Sequence, residues 1–574
     1  MNNKEIAEIF RKIAIYMEMD GVPFKPYAYE KVALALETLE EDVEKIYKER
    51  GFNALKEIPG VGVGIAKGIE EYLKTGKVRQ YEWMKKKMPV DIDALVGVEG
   101  LGPKKIKVLY KKLKIKNLKE LEKAAKAHKI APLFGFGQKT EDNILEGIEF
   151  LKRSKGRFLL GEILPQVEVF YERLKKQKDI KEISFAGSIR RKKETIGDVD
   201  FLTVSKSPEK VMDFFVSQPE IVKVWAKGKT KSSVRTKFGF DMDIRVVPQK
   251  SYGSAQQYFT GSKDHNIVLR KIAIEKGLKL SEYGLFKGSK MITNDSEEKV
   301  YNALGLDWVP PEMRENRGEV ELAQKHNLPK LIELKDIKGD LHCHCNWDGG
   351  RDSILEIAKY AQGLGYEYIG ISDHTKFLRI EHGLNEKQLL KRNIEIDKIN
   401  KTFLSAKSKF RVLKGCEANI LTDGSIDIKD EVLAQMDFVI AGIHSAFKTE
   451  KEKMTERMIK AMRNPNVDII SHPTGRILKQ RDEYQIDLEE VLKVAKETET
   501  VLEINAWPGR LDLNDTNARR AKFLGIKMAI NSDAHEKEQL KLMEFGVFQA
   551  RRGWAEKKDI INAWPLDKLI RFLK

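Results

Sequence analysis

Apolar residues recur at helical spacing through the first 150 positions, as in Ile6 to Met17 and Tyr29 to Tyr47, with breaks at Gly21, Pro23, Pro26 and Gly51. This pattern predicts short amphipathic helices in two regions, residues 1–85 and 86–150. From about Ile180 the spacing changes to strand-like runs, Ile183 to Ala186, Val199 to Val204 and Met242 to Val247, with helices between them. An α/β unit over 151–250, continued by 251–317, is expected. Residues 318–339 are polar and charged, include Pro329 and keep no apolar period, so they read as a linker. From Asp340 to the end, apolar runs such as Tyr368 to Ser372, Phe438 to Ile443, Val467 to Ser471, Val501 to Ile504 and Met528 to Asn531 alternate with helical stretches. That alternation predicts a parallel sheet or βα barrel over 340–574.

Composition narrows the class. The 574 residues suffice for several domains, and 41% hydrophobic with 33% charged residues describes a folded, soluble chain. No apolar run approaches the ~18 residues that cross a bilayer. The N-terminal stretch to Asp20 is too charged for a secretory signal, and three cysteines (Cys343, Cys345, Cys416) are no disulfide framework. A cytoplasmic, DNA-associated location, no membrane partner and a monomer are expected. The net charge of +17 is uneven: residues 101–250 hold 35 basic against 19 acidic residues, whereas residues 340–574 carry only +2. A basic belt of that size attracts a polyanion and makes its binding salt-dependent. A Lys-rich solvated surface is the plainer reading of the same charge.

Three glycine turns lead into helices: Gly60, Gly62 and Gly64 after Ile58-Pro59; Gly100 and Gly102, followed by Lys104; and Gly135 with Gly137. Glycines at a helix N-terminus let backbone N–H groups face a phosphate without obstruction. Helical flanks argue against a dinucleotide loop, and the turns resemble helix-hairpin-helix elements, which grip DNA backbones without reading sequence.

The segment Gly187-Ser188 to Gly197-Asp198-Val199-Asp200 carries the first chemistry. On a strand Asp198 and Asp200 share a face, and Asp243 offers a third carboxylate. Three carboxylates can hold two divalent ions about 3.5–4 Å apart and align a hydroxyl with a nucleotide phosphate. Ser188 and Arg191 stand where they could hold phosphate oxygens.

With Tyr258-Phe259-Thr260-Gly261-Ser262 and Asn266, residues 1–317 resemble the family X DNA polymerases. The resemblance implies Mg²⁺ or Mn²⁺ on Asp198, Asp200 and Asp243. It also implies a triphosphate held by Arg157, Ser188, Arg191 and Gly197, and sugar and base near Tyr258, Phe259, Gly261 and Asn266. Tyr258 and Phe259 read equally as core residues, and Arg157 as a solvated helix end. The implied partners are dNTPs and gapped or primer-template DNA, with a monovalent cation at the hairpin turns. Lys25 and Tyr29 match the family's site for a gap's 5′-phosphate, but the position of its Schiff-base lysine falls on Gly68, beside Lys67.

Seven of the ten histidines follow residue 339. His342 and His344 share a strand face, with Cys343 and Cys345 turned away as packing residues. His374, Glu417, His444, His472, Asp533 and His535 recur in similar settings, and such ligands suit Mn²⁺, Zn²⁺ or Fe²⁺. Residues 340–574 resemble the PHP (polymerase and histidinol phosphatase) domain, a distorted βα barrel with a multinuclear metal site. One departure stands out: the family's usual aspartate falls on Gly349, and Asp348 is the substitute expected as a ligand. His326 and His382 match nothing.

The resemblances together imply a multidomain α/β enzyme: a helix-hairpin-helix region, a nucleotidyltransferase-type palm with thumb, and a PHP barrel. The implied activities are gap-filling DNA synthesis in repair and metal-dependent 3′–5′ exonucleolysis. An RNA or small-molecule nucleotidyltransferase, and a PHP domain that is only structural, stay open at this point.

Overall fold

The computed structural model describes residues 2–573 except 38, 40, 59, 97, 99, 100, 155, 294, 295 and 480. The chain forms two compact units, Met1–Arg157 and Phe158–Lys574. No helix among the described residues is long and apolar enough to cross a membrane.

The first unit is helical. The stripe at Ile6 to Met17 lies in the helix Asn2–Asp20, and Ile6, Phe10 and Ile13 are buried with Val32, Leu36, Ile46 and Ile69. The stretch from Tyr29 to Tyr47 divides into two helices, Lys25–Glu37 and Val43–Leu55. Asp42 accounts for the division, because its Oδ1 accepts from Glu44 N at 2.8 Å and starts a new helix. Pro26 was expected to break a helix but sits in the first turn of one, where the lost N–H is not needed. Gly62 and Gly102 precede the helices Val63–Thr75 and Pro103–Leu113 in extended conformation.

In the second unit a five-stranded sheet has the order Glu182–Phe185, Asp198–Val204, Asp241–Val247, Lys231–Thr236, Ile221–Lys227. Only Asp198–Val204 and Asp241–Val247 run parallel. A three-stranded antiparallel sheet with the helices Lys263–Glu275 and Glu297–Ala303 follows. Beyond it, parallel strands form two sheets, Gly339–Asp340 with Tyr368–Ile371 and Arg411–Lys414, and then Glu417–Asn419 through Met528–Asn531. Parallel bridges His374–Glu417 and Cys343–Ala534 join the two sheets at both edges, which closes a distorted barrel. Cys343 and Cys345 are buried among Ile354, Ile357, Ile369 and Phe410.

Residues 318–339, read from sequence as a linker, are folded. Helix Glu319–Gln324 buries Val320 and Ala323 in a core completed by Leu331 and by Trp554 from the far end of the chain. Ile332 and Ile337 join the barrel core. A linker reading rested on missing periodicity, and these few apolar residues are spaced to touch two different cores instead of one. The sheet and the barrel also share a core, in which Leu511 and Phe545 pack with Phe170, Phe201 and Met242.

One buried ion triad ties the sheet region to the following helices. Glu297 accepts from Arg190 (2.7 and 2.8 Å) and Arg314 (2.6 and 3.1 Å), and from Trp308 Nε1 at 2.9 Å. Burial opposes its charge, yet Arg314 and Arg190 outweigh burial and hold the carboxyl well below its usual range. The triad's stabilisation is therefore present above the unfolded-state carboxyl pKa and is lost as pH falls toward the depressed folded-state value. Removing Glu297 strands buried Arg314 and part-buried Arg190, which costs about 3–5 kcal/mol. Glu297→Ala should lower the melting temperature of the full chain markedly at pH 7, and less in strong acid, as thermal unfolding would measure.

Candidate active sites

The first site is built by strand register. Asp200 lies directly opposite Asp243 on the parallel pair, and Asp198 opposite Asp241. Alternation puts Asp198, Asp200 and Asp243 on one sheet face. The carboxylate of Asp200 also lies against Gly187, where a Cβ would overlap Oδ2, and Gly187 takes φ +57°. Only glycine lets the turn approach this closely. Burial, then Asp198 and Asp243, raise the Asp200 carboxyl to about 7, while Lys231 and Arg191 pull the other way. Acidic groups crowded until one resists ionising form a donor set that calls for cations.

Asp241 is not part of that set, because Arg235 Nη2 (2.8 Å) and Trp225 Nε1 (2.9 Å) occupy it. Lys231 Nζ lies 2.8 Å from Asp243 Oδ2, a contact that sequence reasoning missed. It pairs a cation from the neighbouring strand, a register that local motifs do not encode.

Ser188 is half-buried in the short helix Gly187–Arg190, and Gly197 directly precedes the strand of Asp198. Arg191 donates from Nε to Glu315 Oε1 (3.1 Å) and from Nη1 to Thr260 O, beside Gly261. Arg157 is exposed just before the strand Phe158–Leu159. Tyr258 and Phe259 are half-buried, and the Arg245 guanidinium lies 4.5 Å over the Phe259 ring. Asn266 is buried and donates to Tyr258 O at 2.7 Å while accepting from Gln257 at 2.6 Å. Its amide therefore fixes the Tyr258 backbone in this structure instead of standing open.

In the helical unit, Gly60, Gly62, Gly64 and Gly102 are exposed, as are Lys25 and Lys104, while Gly100 lies outside the described residues. Gly60 takes φ +85°. Tyr29 donates to Gln80 Oε1 at 2.7 Å and packs edge-on to Phe10. Gly68 faces Phe10 at 3.5 Å, so this position looks into the core, whereas Lys67 is exposed. The third turn is pinned differently, by buried Glu141, which accepts from Ile130 N (2.8 Å), Ala131 N (2.9 Å) and His128 (2.9 Å).

The second site sits at the C-terminal ends of the barrel strands, where barrels of this kind build their sites. Donor atoms of His342, His344 and Asp533, of His344, His374 and His535, and of His374, Glu417 and His444 form three groups, each within 4.8 Å. Shared members make one polynuclear cluster. His472 joins it through Nε2, 3.1 Å from Glu417 Oε1. His342 Nε2, His344 Nε2, His444 Nε2, His374 Nδ1 and Glu417 Oε2 are buried without a hydrogen bond although they face one another. Lone pairs converging this way fit divalent cations.

The outer nitrogens are held from behind. His342 Nδ1 bonds Glu503 (2.7 Å), His344 Nδ1 bonds Asp348 (2.8 Å), and His444 Nδ1 bonds Asn419 (2.8 Å). Such partners set each tautomer and aim Nε2 inward. Glu503 and Asn419 were missed, because a buried polar residue on a strand carries no spacing signature. Burial opposes protonation of His344, but Asp348 and Asp533 raise it to about 10, whereas burial and Arg510 lower His472 to about 4.

Asp348, expected as a ligand, has Oδ2 occupied by His344 Nδ1 and His374 N and Oδ1 by Gly350 N. It stands behind His344, and one of its oxygens also lies within 4.8 Å of donor atoms of His344 and Asp373, a fourth group that could hold a metal ion. Asp373, which lies near both, is committed to Arg392 (2.9 Å) and Cys345 N (2.7 Å). A side chain at Gly349 would meet the Glu381 carboxylate, which occupies that space. Glu417→Ala should reduce bound divalent metal by at least one ion per chain, as elemental analysis of the dialysed protein would record. Full retention would show that Glu417 holds none.

The chain is similar to known proteins along its whole length. Residues 1–78 match a family described as a helix-hairpin-helix domain, 92–149 a SAM-like helix-hairpin-helix tandem, 255–315 the DNA polymerase beta thumb and 340–506 the PHP domain. A DNA polymerase/3′-5′ exonuclease PolX of Bacillus subtilis is 38% identical over 579 residues, covering 100% of both chains. DNA polymerase lambda of Arabidopsis thaliana is 26% identical over 54% of this chain and 62% of its own. A probable phosphatase of Caldanaerobacter subterraneus is 33% identical over 34% of this chain and 75% of its own. An end-to-end match at that identity, together with hairpin, thumb and PHP regions in this chain, establishes that the chain belongs to the family X DNA polymerases that carry a C-terminal PHP domain.

Proposed function

We propose that this protein fills short gaps in DNA during repair and removes nucleotides from 3′ ends at its barrel site. The pairing of Asp200 with Asp243 beside Asp198 carries the first part. Mg²⁺ or Mn²⁺ on these carboxylates supplies charge neutralisation for the attacking 3′-hydroxyl and the leaving pyrophosphate. Arg191 and Ser188 hold the β and γ phosphates of a dNTP, with Arg157 as a further cation, and Gly197 leaves the backbone open. Positioning and electrostatics do most of the work. Exposed Gly60, Gly62, Gly64 and Gly102, with Lys104, grip the duplex backbone, and Lys25 with Tyr29 receives a gap's 5′-phosphate. Gly68, turned toward Phe10, argues against imine chemistry at that position. An RNA or small-molecule nucleotidyltransferase would not use these hairpins.

At the barrel, His342, His344, His374, Glu417, His444, His472, Asp533 and His535 hold Mn²⁺, Zn²⁺ or Fe²⁺, which supply an activated water for phosphodiester hydrolysis. The convergent buried donors support an active centre over a purely structural domain. Arg510 adds a phosphate contact: its buried Nε has no hydrogen-bond partner among the described residues, and its charge is felt at His472. Nearby Trp507 is 41% exposed and offers a ring to the terminal base.

Asp200→Ala should abolish extension of a gapped primer while leaving 3′–5′ degradation of single-stranded DNA, and His344→Ala with His374→Ala should do the reverse. Extension by the first variant, or degradation by the second, would sink the corresponding assignment. Arg510→Ala should raise KM for a single-stranded end about tenfold, the loss of one charged hydrogen bond. Affinity for gapped DNA should fall steeply between 50 and 200 mM salt in a filter-binding titration.

A further inference from the structure

We infer that the PHP barrel is a working part of the polymerase's nucleotide site, through one residue, Arg552. It is the last residue of the barrel helix Met543–Arg552 and is buried. Its Nη1 donates to the backbone carbonyl of Arg191 at 2.9 Å and to Glu315 Oε1 at 3.1 Å, and its Nη2 donates to Asp515 Oδ2 at 2.6 Å. The same Glu315 oxygen accepts from Arg191 Nε at 3.1 Å. One barrel guanidinium thus holds the Arg191 backbone directly and the Arg191 side chain through a shared carboxylate.

The consequence follows from what Arg191 must do. A guanidinium has five donors in a fixed plane, and its value as a phosphate ligand depends on where that plane points. Nε is committed to Glu315 and Nη1 to Thr260 O, while its charge reaches Asp200. These bonds fix the plane before any nucleotide arrives, and the remaining donors stay available for phosphate. Glu315 would be a poor anchor alone, since burial opposes its charge, but Arg552, Arg191 and Lys193 hold the carboxyl below its usual range. Arg552 is itself pinned, because Asp515 also pairs with Arg317 at 3.3 Å.

The contact surface around this relay is extensive enough to keep it in register. Arg476 bonds Glu194 at 2.6 Å, and Arg551 bonds Glu312 at 2.8 Å. The Lys192 ammonium lies 4.3 Å from the Phe548 ring centre, and Pro508 packs so closely on Gly161 that a Cβ there would overlap it. Arg191 and Lys192, which follow the catalytic turn, are therefore backed by barrel residues. Arg552 acts as a positioning residue: it touches neither nucleotide nor metal, and the proposal rests on the reading of Arg191 as a triphosphate ligand.

The test uses the full chain on one-nucleotide-gapped DNA. Arg552→Ala should raise KM for the incoming dNTP about tenfold, on the order of one charge-assisted hydrogen bond, with a smaller change in kcat. Its 3′–5′ degradation of single-stranded DNA should match wild type, because Arg552 is absent from the barrel's metal cluster. Glu315→Gln should reproduce the KM effect, Arg552→Lys should recover part of it, and the double variant should be no worse than the worse single one. An Arg552→Ala chain with wild-type dNTP KM would overturn the proposal. So would loss of both activities in parallel in Arg552→Ala, Arg552→Lys and Glu315→Gln alike, which would mark a general packing role. A wild-type chain that extends no primer would overturn the polymerase reading together with this inference.

Discussion

Groups that are crowded by like charge at one centre, and left without hydrogen-bond partners at the other, are held together by the architecture around them. Asp198, Asp200 and Asp243 crowd one sheet face until burial and mutual repulsion raise Asp200 to about 7. In the barrel, several imidazole nitrogens and a carboxylate oxygen meet without hydrogen bonds. Such clusters cost folding free energy in the absence of cations, so they persist only where the backbone leaves their members no alternative. Parallel ladders in both regions impose this constraint, because each residue opposite a neighbour is fixed by bonds along the whole strand.

The second requirement is orientation, and buried polar residues supply it. Glu503, Asp348 and Asn419 take the outer nitrogens of His342, His344 and His444, so each ring has one outward face. Arg191 is treated alike by Glu315 and Thr260. In each case a side chain that could rotate is tied at one end so that its other end is already aimed. Because Leu511 and Phe545 of the barrel pack into the core beneath the catalytic sheet, the two chemistries share one apolar core.

Short-range signals were readable. Asp198 and Asp200 share a face because side chains alternate along a strand, and the same rule separated His342 and His344 from Cys343 and Cys345. Positive φ calls for glycine at Gly60, Gly135 and Gly137, so these turns announce themselves in the sequence. Longer-range arrangements were not readable, for equally physical causes. Residues 318–339 looked like a linker because their apolar residues serve two cores and show no single period. Proximity in sequence to His344 does not reveal that the oxygens of Asp348 also bond His374 N and Gly350 N. Nor does sequence order reveal that Asn266 bonds Gln257 and Tyr258 of the preceding helix.

What the sequence by itself determined is therefore the stock of donors, their placement on local faces, the order of the domains and the excess of positive charge over 101–250. Local backbone periodicity is a property of neighbouring residues, and it is written in their order. Only the tertiary structure decided that Asp243 faces Asp200 while Asp241 is neutralised by Arg235, that Glu381 fills the space beside Gly349, and that Arg552 reaches Arg191 across 361 positions. Those pairings depend on how packed elements bring distant segments within about 3 Å, the distance over which hydrogen bonds discriminate.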